Sequence, residues 1–158
     1  MNTHQIKYLT FEIKKGVLYS NSKGVIHRDL KPLNILVNEN WDVKISDFGQ
    51  SNVQINSINK DYNLTKYVTT RYYTAPELFL NYSSNYGTSV DMWSIGCVIA
   101  ELFCKKVFIR ANTSEDYLEN LVQMLGLPHA ECLTLTIGAF LAIRSIVLAS
   151  QAEQKTIQ

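Results

Sequence analysis

Residues 24–38 read Gly-Val-Ile-His-Arg-Asp-Leu-Lys-Pro-Leu-Asn-Ile-Leu-Val-Asn, and the eight from His27 to Asn34 decide how the rest of the chain is read. Asp29 stands two residues before the ammonium of Lys31 and five before the amide of Asn34. Thirteen residues past Asn34 a second carboxylate, Asp47, opens an Asp-Phe-Gly turn with Phe48 and Gly49. Transfer of a phosphoryl group asks little covalent chemistry of a protein. It needs a carboxylate to orient the attacking hydroxyl, oxygen ligands for Mg²⁺, and positive charge on the group in transit. Region 27–49 holds these in order: Asp29 for the hydroxyl, Lys31 for the γ-phosphate, and Asn34 and Asp47 as hard oxygen donors of the kind Mg²⁺ takes.

Upstream, Ile6, Leu9, Ile13 and Val17 recur at spacings of three and four, which predicts an amphipathic helix. Asn2 or Thr3 can cap it, and the run Asn21–Gly24 stops it. Downstream, 34–37 and 42–46 are short β-branched runs around the polar turn 38–41 and predict a hairpin. Residues 47–75 are polar and aperiodic, and predict a long surface loop. The stretch 88–103 is apolar on nearly all sides and predicts a helix buried in the centre of a domain, with Thr88 and Asp91 resembling a capping box. A further helix over about 114–125 begins at Thr113 or Ser114 and ends at Gly126, with Pro128 beyond.

The chain has 158 residues, 46% hydrophobic and 18% charged, which suits one soluble globular domain. Fifteen basic side chains against fourteen acidic ones, with no Lys/Arg block, give no reason to expect a nucleic-acid partner. Cys97, Cys104 and Cys132 are odd in number and widely spaced, which fits reduced thiols better than a disulfide framework or a zinc site. The first sixteen residues lack the pattern of a signal peptide. The apolar stretch 133–149 carries Arg144 near its middle, so a packed or partly exposed helix is expected there rather than a membrane span.

The order HRDLKPLN at 27–34, SDFG at 46–49 and APE at 75–77 resembles the eukaryotic protein kinases. The segment LTKYVTTRYYTAPE (64–77) is similar to that of the mitogen-activated protein kinases, and SEDYLENLVQMLGLP (114–128) to the wider group that also holds cyclin-dependent kinases. The resemblance implies a mainly α fold: a partial C-terminal (large) lobe with a short β-hairpin over residues 1–128, the N-terminal lobe absent, and a divergent apolar tail over 129–158. It implies transfer of the γ-phosphate of ATP to Ser/Thr of protein substrates, with ATP and Mg²⁺ as cofactors. An upstream dual-specificity activating kinase is the implied regulator, acting at Thr65 and Tyr67. No nucleic-acid or membrane partner is expected, and the implied location is cytoplasmic or nuclear.

Carried residue by residue, the resemblance gives Asp29, Lys31 and Thr70 catalytic roles and places Leu36 under adenine, where it can equally be plain core. Asn34 and Asp47 become metal ligands, and Arg28 and Arg71 receive loop phosphates. His27, Phe48, Gly49, Glu77 and Asp91 become structural. Asp91 would brace the catalytic loop, its alternative being a solvated carboxylate at a helix start. Thr65 and Tyr67 can alternatively be ordinary exposed loop residues.

Two departures weaken the implied phosphate switch: Asn52 and Thr74 stand where the family has arginines. The Thr74 change also puts a preference for proline after the target residue in doubt. No Gly-x-Gly-x-x-Gly loop and no Val-Ala-Ile-Lys strand occur. The expectation is therefore an open, wet half-site with little activity by itself, or else a non-catalytic kinase-like binding fragment or a degenerate product. The usual arginine partner of Glu77 is not legible after Pro128, where the resemblance stops. Read-through or frame-shifted sequence is an alternative account of that tail.

Overall fold

A computed structural model describes residues 1–53, 72–79 and 86–126. Thr65, Tyr67, Thr70 and Arg71, and the whole of 129–158 with Arg144, lie outside the described residues.

Helix α1 spans Thr3–Ser22. Its start is a reciprocal capping box: Asn2 Oδ1 accepts from Gln5 N at 2.9 Å, and Gln5 Oε1 accepts from Asn2 N at 2.8 Å. Gly24, at φ 75°, takes the left-handed conformation that turns the chain out of the helix. Strand β1 (Val25–Ile26) follows, then β2 (Ile35–Val37) and β3 (Val43–Ile45), and β4 (Asn52–Val53). The predicted hairpin is present as β2 and β3, antiparallel, with Leu36 opposite Lys44. Asn38 and Asp42 close its turn through two 2.8 Å bonds, and Trp41, at φ 67°, packs against the core.

The long loop predicted over 47–75 starts later than expected. Residues 48–50 form a 3₁₀ turn, and β4 pairs antiparallel with β1, Ile26 opposite Asn52. Two-residue strands carry no period that a sequence can display, so this pairing is a tertiary fact. Helices α2 (Pro76–Phe79), α3 (Ser89–Cys104) and α4 (Ser114–Leu125) complete the described chain. Thr113 and Asp116 cap α4 reciprocally.

Leu9, Ile13 and Val17 of α1 pack with Leu30 and with Ile95 of α3, and the hairpin's Ile35, Val43 and Ile45 close over them. Each such side chain contributes roughly 1.5–3 kcal/mol when fully buried. Leu30 belongs to the quoted stretch, so the core holds that loop from beneath. A second cluster joins Ile26, Ala75 and Val90, and a third joins Ile109, Tyr117 and Leu121 with Trp93 packed against it.

Two expectations for α3 are corrected. The helix buries one side, through Val90, Asp91, Ser94, Ile95, Cys97 and Val98, while Met92, Gly96 and Phe103 on the opposite face are exposed. Among the described residues no element covers that face. Thr88 and Asp91 form no capping box: Thr88 has helical φ and ψ and makes no side-chain cap, and the Asp91 carboxylate is engaged elsewhere. No helix among the described residues is long and apolar enough to cross a membrane.

Candidate active site

The loop from His27 to Asn34 is held from its two ends and its middle. Asp91 is fully buried and accepts the backbone N–H of both His27 and Arg28, each at 2.9 Å. The Asn21 amide nitrogen, turned inward, donates to the same carboxylate at 2.9 Å and to Val25 O at 2.8 Å. These bonds hold Arg28 at φ 69°, a left-handed backbone that an L-residue adopts at a cost of roughly 1–3 kcal/mol. The Asp91 carboxylate is thus buried against the loop's backbone rather than solvated.

His27 is buried and structural in its contacts. Its Nε2 lies 2.9 Å from Ser46 O, and its Nδ1 accepts from Asp29 N at 3.3 Å, which together suit the Nε2–H tautomer. The Phe48 ring leans against it, centroids 4.6 Å apart and tilted 55°. Through Ser46 and Phe48 the imidazole joins the catalytic stretch to the Asp-Phe-Gly turn.

Asp29 is half-buried and already paired. Lys31 Nζ lies 2.7 Å from its Oδ2, and Asn34 Nδ2 lies 2.8 Å from its carbonyl and 3.3 Å from the same Oδ2. Asn34, buried in the 3₁₀ turn that Pro32 begins, thus spends its amide nitrogen on Asp29 and keeps its side-chain oxygen for another partner. Its backbone carbonyl accepts from both Ser46 N and Ser46 Oγ, at 2.9 and 3.2 Å, which seats Asp47 beside it in the chain. Asp47 is exposed, sits at φ 60°, and accepts from Gly49 N at 3.3 Å. An amide oxygen and an exposed carboxylate fit Mg²⁺, which takes one or two protein oxygens and completes its shell with water and phosphate. The described residues contain no cluster of three or more His, Cys, Asp or Glu of the sort a transition metal prefers.

Leu36 lies on β2 with more than half its surface exposed, next to exposed Val37, and Leu33 is exposed before them. The hairpin thus presents an apolar face on which Leu36 is exposed. Arg28 Nη1 meets Tyr86 Oη at 2.6 Å and its Nε donates to Gln50 O. Glu77 stands in the first turn of α2, and no ion pair to it is found among the described residues. Sequence reasoning missed Asn21, Ser46 and Tyr86, which reach Asp91, Asn34 and Arg28 at separations of 70, 12 and 58 residues. Ser46, immediately before Asp47, was the one legible by position.

The 72–75 segment rests on α3 and α4. Ser94 Oγ lies 2.8 Å from Tyr73 O, and Tyr73 Oη donates to Glu101 at 2.6 Å. Burial first, then that bond to Glu101, pushes the Tyr73 phenol up. Burial raises the Cys97 thiol to about 11. A cleft of about 420 Å³ lies beside α4, lined by Tyr72, Arg110 and Asp116 among others, and includes none of the residues from His27 to Asp47.

The model of the protein kinase domain matches residues 1–142 of this chain. The chain belongs to the protein kinase family. Among curated kinases it is 44% identical over 126 residues to the mitogen-activated protein kinase HOG1 of Candida albicans, covering 80% of this chain and 32% of that one. It is 41% identical over 131 residues to the mitogen-activated protein kinase sty1 of Schizosaccharomyces pombe, covering 83% and 36%. The chain thus spans about a third of the length of the relatives it matches. A solved structure, the yeast RNA Pol II CTD kinase CTDK-1 complex, superimposes with a TM-score of 0.75 at 31% identity, over 89% of this chain and 45% of that one. The kinase family uses ATP and a divalent metal in general, and the mitogen-activated likeness read from residues 64–77 agrees with these relatives.

Proposed function

We propose that the protein is a mitogen-activated-type serine/threonine kinase and that this chain is a part of its C-terminal lobe. The observation that carries this reading is the Asp29 carboxylate, held 2.7 Å from Lys31 Nζ and within reach of Asn34, on a loop braced by buried Asp91. Asp29 is the group that accepts the hydrogen bond, and then the proton, of a serine or threonine hydroxyl. Lys31, already beside it, keeps a positive charge where a phosphoryl group must pass, and Asn34 and Asp47 hold Mg²⁺. Leu36 forms one apolar wall for adenine. Mg·ATP, when bound, supplies the group to be transferred.

Thr70 is proposed to contact Asp29 and Lys31. Thr65 and Tyr67 are proposed as sites for an upstream dual-specificity kinase, with Arg28 and Arg71 receiving the phosphates. Protein substrates in the cytoplasm or nucleus follow from the same reading. The alternative, a second reading, is a kinase-like binding module without transfer.

Phosphate transfer to a serine-containing protein, measured on the protein at full length, tests the reading. Asp29→Asn is expected to lower kcat by about 10²–10⁴-fold with Mg·ATP binding retained. Asp47→Ala is expected to remove Mg²⁺-dependent ATP binding. Transfer undiminished in Asp29→Asn refutes the assignment, and Mg·ATP binding without any transfer favours the second reading.

A further inference from the structure

Tyr117 heads the largest fully buried side chains among the described residues, 1% exposed, and belongs to none of the motifs that mark the site. Its phenol oxygen donates to Thr74 O at 3.0 Å and accepts from Trp93 Nε1 at 3.1 Å. Tyr117 is buried while Thr74 and Trp93 are half-buried, so breaking this arrangement removes one hydrogen bond from each partner. Thr74 adjoins Tyr73, whose carbonyl meets Ser94 Oγ at 2.8 Å. Ser94 lies three residues past Asp91 on the same buried side of α3. One side of α3 therefore holds the backbone of residues 27 and 28 through Asp91 and that of residue 73 through Ser94. Ala75 completes the link by packing on Ile26, the residue directly before His27.

We propose that Tyr117 is a positioning residue for segment 72–76, tying it to α4 so that it keeps its place against the catalytic loop. That the segment is where an acceptor polypeptide lies rests on the kinase reading; that Tyr117 sets its position does not. The cleft lined by Tyr72 and by Asp116, Glu119 and Asn120 opens between the two elements that Tyr117 joins.

Hydrogen–deuterium exchange on the full chain, without nucleotide, tests the proposal. Tyr117→Phe removes the hydroxyl and keeps the ring in its cluster. Exchange over 72–79 is expected to rise about tenfold, the factor for one hydrogen bond, while α1 and residues 116–125 stay within twofold. Trp93→Phe leaves the bond to Thr74 in place and is expected to change 72–79 by less than twofold. Unchanged exchange over 72–79 in Tyr117→Phe, equal acceleration in α4, or a larger effect from Trp93→Phe overturns the proposal. A chain that binds no Mg·ATP still decides it, because exchange is read without nucleotide.

Discussion

Replacing Asp91 by alanine removes the acceptor for three N–H groups at once. The His27 and Arg28 amides each lose a 2.9 Å bond, and the Asn21 amide loses another. A buried donor left unsatisfied costs about 1–3 kcal/mol. His27 is 1% exposed and pays the larger share, while half-buried Arg28 and Asn21 recover part of theirs from water. The sum comes to roughly 3–5 kcal/mol, and Asp91→Asn, which keeps one acceptor oxygen but turns an NH₂ toward a backbone N–H, to roughly 2–3 kcal/mol. Against a domain stability of about 5–15 kcal/mol the alanine variant is marginal. Urea unfolding followed by circular dichroism reads this directly. With a slope of about 1–3 kcal/mol/M, the midpoint falls by about 2 M for alanine and 1 M for asparagine. Arg28, held at φ 69° by the bond that is lost, should also relax, and its amide should exchange faster than those of α4. A loss under about 1 kcal/mol in Asp91→Ala, or asparagine equal to wild type, refutes the claim that this carboxylate braces the loop.

Ile13→Ala, at a side chain 2% exposed between α1, α3 and the hairpin, is expected to cost about 2–5 kcal/mol in the same assay. Leu36→Ala, at a side chain 54% exposed, is expected to stay within about 0.5 kcal/mol, so a large loss there would show that Leu36 is core. Exposed Cys104 should react with a thiol reagent at pH 8 while buried Cys97 reacts only as the chain unfolds. Because burial raises the Cys97 thiol from 9.0 to about 11, its protonated form is favoured by folding. That contribution is full below about pH 9 and is lost as the pH rises through about 11, so Cys97→Ala should reduce the fall in stability over this range, leaving the part that the raised Tyr73 phenol contributes.

How much of this was legible from the chain differs element by element. Helix α1 was readable end to end, because its cap, its stripe at three-and-four spacing and its terminal glycine are all local signals. The hairpin and α4 were readable for the same reason. Asp29, Lys31, Asn34 and Asp47 stand in order within 19 residues, so their residue types could be picked out along the chain as candidates. The apolar run of α3 was readable as a helix, but its one-sided burial was not, because composition does not say which neighbours arrive.

What lay beyond the sequence was decided by long-range partners. Local pattern offered Asp91 only as a cap, and its place against the loop came from the family resemblance; its carboxylate accepts backbone amides 63 and 64 residues earlier. Tyr117, which the sequence reading did not single out, donates to a carbonyl 43 residues away. The sequence alone determined which chemistry the loop carries and where the local helices and hairpin begin and end, since caps and periodicity act within a few residues. Only the tertiary structure decided which buried polar groups keep that loop in shape, because a buried acceptor serves whichever donors the fold brings to it.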